Sequence, residues 1–230
     1  VNIITLEDPV EYFIEGINQS QVNPEIGLTF AAGLRSILRQ DPNVVMVGEI
    51  RDRETAELAV QAALTGHLVF STLHTNNAIG AIPRLMDMGM EPFLLVASIN
   101  VVAAQRLVRK ICPDCRKELP VSKLIEEEIK KELVGVSDDY FEGIDKTQIK
   151  IFKGEGCEKC GHTGYSGRMG IFEVLPSNTE IQDLILGKSS ASKIYEAAQK
   201  IGMISLKQDG MVKVIRGETT IEEVIRVTTE

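Results

Sequence analysis

The stretch LRQDPNVVMVGEIRD, residues 38–52, is the most informative part of this 230-residue chain. Four consecutive apolar residues, 44–47, lead into Gly48 and then into a single carboxylate, Glu49. An unbroken apolar run is typical of a strand that is buried on both faces of a parallel sheet. Open α/β sheets bind their ligands at the carboxyl ends of such strands. The stretch therefore predicts a parallel α/β sheet with Glu49 at its ligand-binding edge.

Strand-like and helix-like patterns alternate on both sides of this stretch. Residues 2–6 and 67–73 are apolar enough for strands, whereas 29–38 and 53–64 have the apolar spacing or the Glu- and Ala-rich composition of helices. Residues 92–110, which begin with Pro92 and are mostly apolar, predict one long helix. This alternation favours a parallel sheet that is flanked by helices.

The composition excludes several classes of protein. With 43% hydrophobic and 25% charged residues, the chain resembles an ordinary globular protein. A formal net charge of -8 argues against a general nucleic-acid binder, which needs a basic surface. No apolar run reaches the roughly 18 residues of a membrane span, and the amino end is acidic where a secretion signal would be basic. We therefore expect a cytoplasmic protein and, because the chain begins with Val1 rather than Met, part of a longer one.

Two other predicted strands also end in polar side chains. The first runs into Glu7, Asp8 and Glu11, and the third runs into residues 71–76, which include His74. Carboxylates at such an edge can orient water or hydrogen-bond the water shell of a metal ion. A histidine can donate to a phosphate oxygen. Taken singly, the acidic cluster could equally be a solvated turn, and a lone histidine is more often structural.

The four cysteines form two Cys-x-x-Cys pairs, Cys112 with Cys115 and Cys157 with Cys160, separated by 41 residues. Each pair places two thiolates on one turn, and two pairs supply the tetrahedron that Zn²⁺ prefers. In a chain without an export signal this pattern favours zinc, and two disulfides are the alternative. His162 could compete as a ligand, but the four cysteines complete the set. We therefore expect a structural zinc site with no open coordination position.

With these motifs in view, residues 4–12, 38–52 and 64–76 resemble the Asp box, the Walker B motif and the His box of the secretion and pilus-assembly ATPases, the GspE/PilB-type traffic ATPases. Asn43 stands where that family usually has Asp, but it precedes the strand and leaves Glu49 in place. The resemblance implies a RecA-like domain that works in a homo-hexameric ring, with ATP and Mg²⁺ between the subunits.

The resemblance also implies roles for single residues and for partners. Glu49 would help to hold the water shell of Mg²⁺, Glu11 would orient or deprotonate the attacking water, and His74 would contact the γ-phosphate. The partners would be an inner-membrane platform and cytoplasmic adaptor proteins of the machine, which place the motor at the inner membrane. In that family the tetracysteine element marks export and assembly ATPases, so pilus retraction is the less expected role.

Four further residues are weaker candidates for association with the nucleotide or with magnesium: Glu7, Asp8, Arg39 and Arg51. For the two arginines, ion pairs with Asp41 or Asp52 are an equally good interpretation.

One part of the family pattern is missing from these residues. A phosphate-binding loop needs glycines followed by Lys and Ser or Thr, and the near match is Gly187-Lys188-Ser189. Gln182 stands where the first glycine belongs, and 181–186 has the pattern of an amphipathic helix. We interpret Gly187 as the end of that helix. In the family the loop lies upstream of the Asp box, so we expect this chain to bind ATP weakly by itself.

The pattern divides the chain into three expected domains. Residues 1–110 would form the RecA-like ATPase core, 111–170 a zinc-binding insertion with the four cysteines, and 171–230 a small helical carboxyl-terminal subdomain. The alternative function is a non-catalytic, zinc-stapled interaction module. A zinc-ribbon nucleic-acid binder is disfavoured by the charge and by the few aromatic residues. The motifs do not distinguish a type II secretion system from a type IV or competence pilus.

Overall fold

The computed structural model describes residues 1–144 and 149–229 of the chain. Its strands are β1 (Ile3–Glu7), β2 (Asn18–Gln21), β3 (Val44–Val47), β4 (Leu68–Ser71), β5 (Val101–Ile111), β6 (Arg116–Leu119), β7 (Ile151–Gly154) and β8 (Tyr165–Pro176). Its α-helices are α1 (Phe30–Ile37), α2 (Arg53–Leu64), α3 (Ala81–Asp87), α4 (Pro92–Ser98), α5 (Lys123–Glu132), α6 (Thr179–Leu186), α7 (Ala191–Lys200), α8 (Leu206–Ile215) and α9 (Ile221–Thr228). Among these described helices, none is long and apolar enough to cross a membrane.

The chain separates into two compact units, and the first is built on a parallel sheet. Its segments are Val1–Thr75, Ile79–Asn100 and Ser177–Ile194. The strand order is β2-β1-β3-β4, and each neighbouring pair is parallel. The parallel α/β sheet flanked by helices that the sequence predicts is therefore confirmed.

The core of the first unit lies on one face of this sheet. Leu6, Val45 and Val47 are completely buried there, and Leu34 of helix α1 is buried with them. Removing a side chain of this size from water stabilises the fold by about 1.5–3 kcal/mol. Helix α1 approaches the sheet closely because Gly33 has no side chain: a Cβ at this position would lie 2.7 Å from Leu6 Cδ2.

The opposite face of the sheet is less covered than the apolar pattern suggests. Val44 and Met46 of β3 are half-buried, so the expected burial on both faces is met on one face only. On β4, 49% of Leu68 and 54% of Phe70 remain exposed. These side chains share a face because in-register residues of parallel strands point the same way.

The second unit contains two antiparallel ribbons. Its segments are Asn76–Ala78, Val101–Pro176 and Tyr195–Glu230, as far as they are described. Strand β5 pairs with β8 in a long ribbon, and β6 pairs with β7 in a short one. Helices α5, α8 and α9 enclose an apolar core whose buried members include Ile129, Met211, Val212 and Val224.

The predicted helix over residues 92–110 is wrong beyond its first turns. Helix α4 ends at Ser98, and strand β5 begins at Val101. Side chains along 101–107 alternate between exposed and half-buried, which is the period of a strand. The partner strand β8 begins more than fifty residues later, so local apolar content could not reveal the pairing.

Candidate active site and metal centre

Three parallel strands bring the predicted polar residues to one edge of the sheet. Glu7 ends β1, Glu49 follows β3 by two residues, and His74 follows β4 by three. A cleft of about 420 Å³ lies at this edge. Five of the predicted site residues line it: Glu7, Asp8, Glu11, Glu49 and His74.

Glu49 is the best-connected carboxylate of the cleft. His74 Nε2 lies 2.7 Å from Glu49 Oε2, and the Arg51 guanidinium forms an ion pair with Oε1. The Glu49 side chain is 11% exposed, whereas that of His74 is 80% exposed. The hydrogen bond from Arg51 is the main cause that lowers the pKa of Glu49; His74 lowers it further, and burial opposes both. Glu49 is therefore held as a carboxylate at the floor of an open cleft.

The two arginines of residues 38–52 lie in different places. Arg51 Nη1 is 3.6 Å from Asp8 Oδ2, so this guanidinium joins Asp8 and Glu49. The alternative partner Asp52 instead caps helix α2, with its Oδ1 accepting from the Thr55 N–H at 2.8 Å. Arg39 follows α1 and precedes β3, at the amino-terminal edge of the sheet. The structure therefore brings Arg51 to Glu49, but not Arg39.

The two glutamates of the Asp box differ in exposure. Glu7 is 9% exposed, and its carboxylate accepts from Thr5 Oγ1 and, at 2.9 Å, from Gln19 Nε2. Glu11 lies in the loop between β1 and β2, is exposed, and lines the cleft. A buried, hydrogen-bonded Glu7 suits a positioning role, whereas Glu11 is free to meet a bound molecule.

Gln19 is a residue that the sequence analysis missed. Its Nε2 donates to Glu7 Oε1 and, at 3.0 Å, to the Tyr12 carbonyl, and its Oε1 accepts from the Ile14 N–H at 2.7 Å. Gln19 therefore holds the loop that carries Glu11. A glutamine in a polar stretch has no distinguishing pattern, so no sequence signal marks it.

Thr72 is a second residue of the site that the sequence analysis missed. Its Oγ1 donates to the Gly48 carbonyl at 2.7 Å, and its carbonyl accepts from the Ile50 N–H at 3.0 Å. These bonds join the ends of β3 and β4 on either side of Glu49. Gly48 lets the strands approach closely here, because a Cβ at this position would lie 3.1 Å from the Leu6 carbonyl oxygen and would require a small shift of the backbone.

The four cysteines meet in the second unit. All four Sγ atoms lie within 4.8 Å of one another, with Cys112 3.9 Å from Cys157, Cys115 3.9 Å from Cys160, and Cys157 3.8 Å from Cys160. Four thiolates around a tetrahedral Zn²⁺ at Zn–S distances of about 2.3 Å are about 3.8 Å apart. The donor set and its spacing therefore fit zinc. The thiols are free, so the two-disulfide alternative is not what the structure contains.

Backbone contacts bring the two cysteine pairs together. The Cys112 N–H donates to the Gly164 carbonyl at 2.9 Å, and the Glu155 N–H donates to the Cys115 carbonyl at 3.0 Å. Gly154 and Gly164 pass so closely that a Cβ on Gly154 would lie 2.0 Å from the Gly164 carbonyl oxygen. The close approach of these two glycines thus sets the geometry of the cluster.

Backbone N–H groups also point at the sulfur atoms. Those of Cys157 and Gly164 donate to Cys160 Sγ at 3.2 and 3.3 Å, and they lower the pKa of this thiol to about 6. Burial raises the pKa of Cys115 to about 11. A bound cation is what would allow all four sulfurs to be thiolates in so small a space.

Gly187-Lys188-Ser189, which partly matches the sequence of a phosphate-binding loop, does not form such a loop. Helix α6 ends at Leu186, and Gly187 is its C-cap, with its N–H donating to the Asp183 carbonyl at 2.9 Å. This agrees with the interpretation of Gly187 as the end of a helix.

Comparison with known proteins identifies relatives along the whole chain. A family model described as "Type II/IV secretion system protein" matches residues 1–226. The type II secretion system ATPase E of Vibrio cholerae is 50% identical over 232 residues, which are 100% of this chain and 43% of that protein. The type IV pilus assembly ATPase PilB of Thermus thermophilus is 50% identical over 229 residues, again 100% of this chain but 25% of that protein. The chain thus spans less than half the length of these curated relatives.

A crystal structure with a similar fold is also known. A crystal structure of the pilus retraction motor PilT with bound ADP matches 100% of this chain and 53% of that one, with a TM-score of 0.68 and 29% sequence identity. The similarity to this structure extends over both units of the chain.

Proposed function

The chain belongs to the family of type II/IV secretion system proteins, and we propose that it supplies the catalytic edge of an ATPase motor that drives assembly of a type II secretion pseudopilus or a type IV pilus. The observation that carries the proposal is Glu49, a carboxylate held between Arg51 and His74 at the ligand-binding edge of a parallel sheet. The cysteine cluster and the 50% identity to a pilus assembly ATPase, against 29% to the retraction motor, favour assembly over retraction.

The residues of the cleft suit a magnesium nucleotide. Carboxylate oxygens are ligands for Mg²⁺ and its water shell, and guanidinium and imidazole groups donate to phosphate oxygens. When bound, Mg²⁺ neutralises charge on the phosphates. Glu49 would hold the water shell of the metal, Glu11 would orient the attacking water and accept its proton, and His74 would donate to a γ-phosphate oxygen. Glu7, Asp8 and Arg51 would support them from the same edge, whereas Arg39 lies at the opposite edge of the sheet and is the weakest candidate.

The phosphate loop would come from a part of the protein that precedes these residues. Relatives at 50% identity are more than twice as long as this chain. We propose that residues 1–230 bind ATP weakly without that part. Calorimetry should show tight binding by the intact protein and none at micromolar ATP by the chain alone, and micromolar binding by the chain would contradict the proposal.

The assembly state and the partners are further parts of the proposal. The motor would be a cytoplasmic homo-hexamer, held at the inner membrane by a platform protein and cytoplasmic adaptors. Within it, residues 1–110 would be the ATPase core, 111–170 the zinc subdomain and 171–230 the helical subdomain. A structural zinc in the cysteine cluster would stabilise its subdomain by on the order of 10 kcal/mol.

The decisive experiment measures ATP hydrolysis by the intact protein with Glu49→Gln. The amide cannot replace the charge of the carboxylate near Mg²⁺, so we expect kcat to fall by at least about a hundredfold. Glu25→Gln, an exposed glutamate of the same unit, is the matched control and should leave kcat unchanged. Unchanged hydrolysis in Glu49→Gln would overturn the role of Glu49. Absence of hydrolysis in the unaltered intact protein would favour the alternative, a non-catalytic zinc-stapled interaction module.

A further inference from the structure

The loop that carries Glu11 is tied to strand β2 on both sides of that residue. Glu11 is exposed and lies in the irregular connection between β1 and β2. Just before it, the Val10 N–H donates to Gln21 Oε1 at 3.3 Å. Just after it, Gln19 Nε2 donates to the Tyr12 carbonyl at 3.0 Å. Two glutamines of one strand therefore hold the backbone on either side of Glu11.

The parallel sheet presents both glutamine side chains on one face. Gln19 and Gln21 are two residues apart on β2, and the side chains of a strand alternate between its faces. In the register with β1, Gln19 lies beside Thr5 and Gln21 lies beside Glu7. In-register residues of parallel strands point the same way. The face that carries Glu7 at the end of β1 therefore also carries both glutamines.

The amide of Gln19 has one orientation that satisfies its partners. Its Nε2 donates to Glu7 Oε1 at 2.9 Å as well as to the Tyr12 carbonyl, and its Oε1 accepts from the Ile14 N–H at 2.7 Å. Turning the amide over would set its oxygen against two other oxygens and its NH₂ group against an N–H. Glu7 is itself buried and accepts from Thr5 Oγ1. Gln19 therefore links a fixed side chain of the sheet to the backbone of the loop.

We propose that Gln19 and Gln21 are positioning residues for Glu11: by holding the backbone on both sides of it, they set where its carboxylate stands in the cleft. The inference rests on the proposed role of Glu11 in ATP hydrolysis. An exposed side chain on an untethered loop samples many positions, and ordering it costs conformational entropy. Displacing a catalytic group by about 1 Å can cost on the order of a hundredfold in rate.

Steady-state ATP hydrolysis by the intact protein with Gln19→Met and Gln21→Met tests the inference. Methionine is similar to glutamine in length, but it has no N–H to donate and its sulfur is a weak acceptor. We expect Gln19→Met to lower kcat by roughly tenfold or more while KM for ATP changes by less than about twofold. Gln21→Met should lower kcat by a smaller factor, because its contact of 3.3 Å is longer. Ser20→Ala, exposed on the opposite face of β2, is the matched control and should leave kcat unchanged.

Amide hydrogen exchange in the intact protein separates the holding of the loop from its effect on hydrolysis. Gln19→Met should speed exchange of the Ile14 amide, and Gln21→Met that of the Val10 amide, because each loses its acceptor. Exchange in strand β3 should stay as in the wild type. Unchanged exchange of both loop amides would overturn the inference, whatever the rate of hydrolysis. Gln21 is exposed, so Gln21→Met replaces Gln19→Met in every comparison if the latter does not fold.

A double-mutant cycle with Glu11→Ala decides whether the glutamines act through Glu11. If they do, Gln19→Met causes no further loss of kcat in the Glu11→Ala background. Equal losses in both backgrounds, or wild-type kcat in Gln19→Met, would contradict the inference. If Glu11→Ala by itself leaves kcat unchanged, the proposed role of Glu11 is what fails, and the inference fails with it even where exchange shows that the loop is held.

Discussion

Glu49 is bound at both of its carboxylate oxygens, by the guanidinium of Arg51 and by the imidazole of His74. The two contacts do not have equal effects, since the hydrogen bond from Arg51 contributes most to the lowered pKa of Glu49. Burial acts in the opposite direction. The exposed Arg51 therefore keeps the largely buried carboxylate of Glu49 ionised.

Replacing Arg51 by Gln should raise the pKa of Glu49. Loss of the positive charge leaves burial as the larger remaining influence, so the carboxyl should titrate at a higher pH than in the wild type. The ¹³C chemical shift of the Glu49 carboxyl, followed against pH, measures this directly. Arg53→Gln is the control, because Arg53 pairs with Glu57 at 2.6 Å. An identical Glu49 titration in wild type and Arg51→Gln would show that the guanidinium is not the cause.

Glu223 is a buried carboxylate that forms ion pairs with two arginines, Arg109 and Arg226. Hydrogen bonds from Arg226 and Arg109, including the Arg109 N–H at 2.9 Å, lower its pKa to about 2 against an ordinary value of 4.5. Because the folded-state pKa is the lower one, this group stabilises the fold fully above about pH 4.5. The contribution is lost as the pH falls through about 2. Both arginines are about half exposed, so screening reduces the full value of about 3 kcal/mol.

Glu223→Gln should accordingly lower the free energy of unfolding at pH 7 by about 2–3 kcal/mol. The difference from the wild type should shrink as the pH approaches 2, because the wild-type carboxyl then becomes neutral too. Urea unfolding of the intact protein at several pH values measures both effects. Glu222→Gln, the exposed neighbour on α9, should change the free energy by less than about 0.5 kcal/mol. A loss that does not depend on pH would contradict the assigned cause.

At the scale of the elements, helix α1 and strand β1 are in contact through Gly33. A Cβ on this residue would lie 2.7 Å from Leu6 Cδ2 in the buried core. Gly33→Ala should therefore destabilise the first unit by about 1–3 kcal/mol, although alanine favours helices by about 1 kcal/mol over glycine. Ser36→Ala on the exposed side of α1 is the control and should have little effect. The denaturant midpoints of the Gly33→Ala and Ser36→Ala variants measure the difference. A higher midpoint for Gly33→Ala than for the wild type would show that the core tolerates the methyl group.

The elements also differ in how well their sequences predict them. Helix α2 was predicted with its observed bounds because its composition is rich in Glu and Ala and Gly66 follows its end; the N-cap Asp52, seen in the structure, reinforces the same bounds. Strand β5 was mistaken for a helix because its pairing partner β8 is distant in sequence. Local patterns predict an element correctly when its own residues favour its conformation, as in α2. They fail when pairing with a distant strand determines the conformation, as in β5.

The same distinction holds for the candidate site. Glu49 and His74 were predicted because parallel strands bring their ends together, and the cysteines because their spacing is specific to a metal. Gln19 and Thr72 were not predicted, because no sequence motif marks a neutral polar side chain whose role depends on its hydrogen-bond partners.

At the scale of the whole molecule, the cysteine cluster joins segments that are separated by 41 residues. We expect one zinc per chain, and Cys160→Ser should lose it and lower the melting temperature of the intact protein, as chelation should in the wild type. His162→Asn is the matched control, because the residue is adjacent and asparagine accepts the left-handed backbone found there, with φ of 61°. Atomic absorption measures the metal. Zinc retained by Cys160→Ser but lost by His162→Asn would reverse the ligand assignment.

The exposed face of β4 has a practical consequence for anyone preparing this protein. In the described part of the chain β4 is an edge strand, and it presents Leu68 and Phe70 to solvent. The unpaired backbone groups of an edge strand can pair with a strand of another molecule, and exposed apolar side chains favour that contact, although β4 has only four residues. Residues 1–230 should therefore associate with one another readily, and Phe70→Lys should improve their yield.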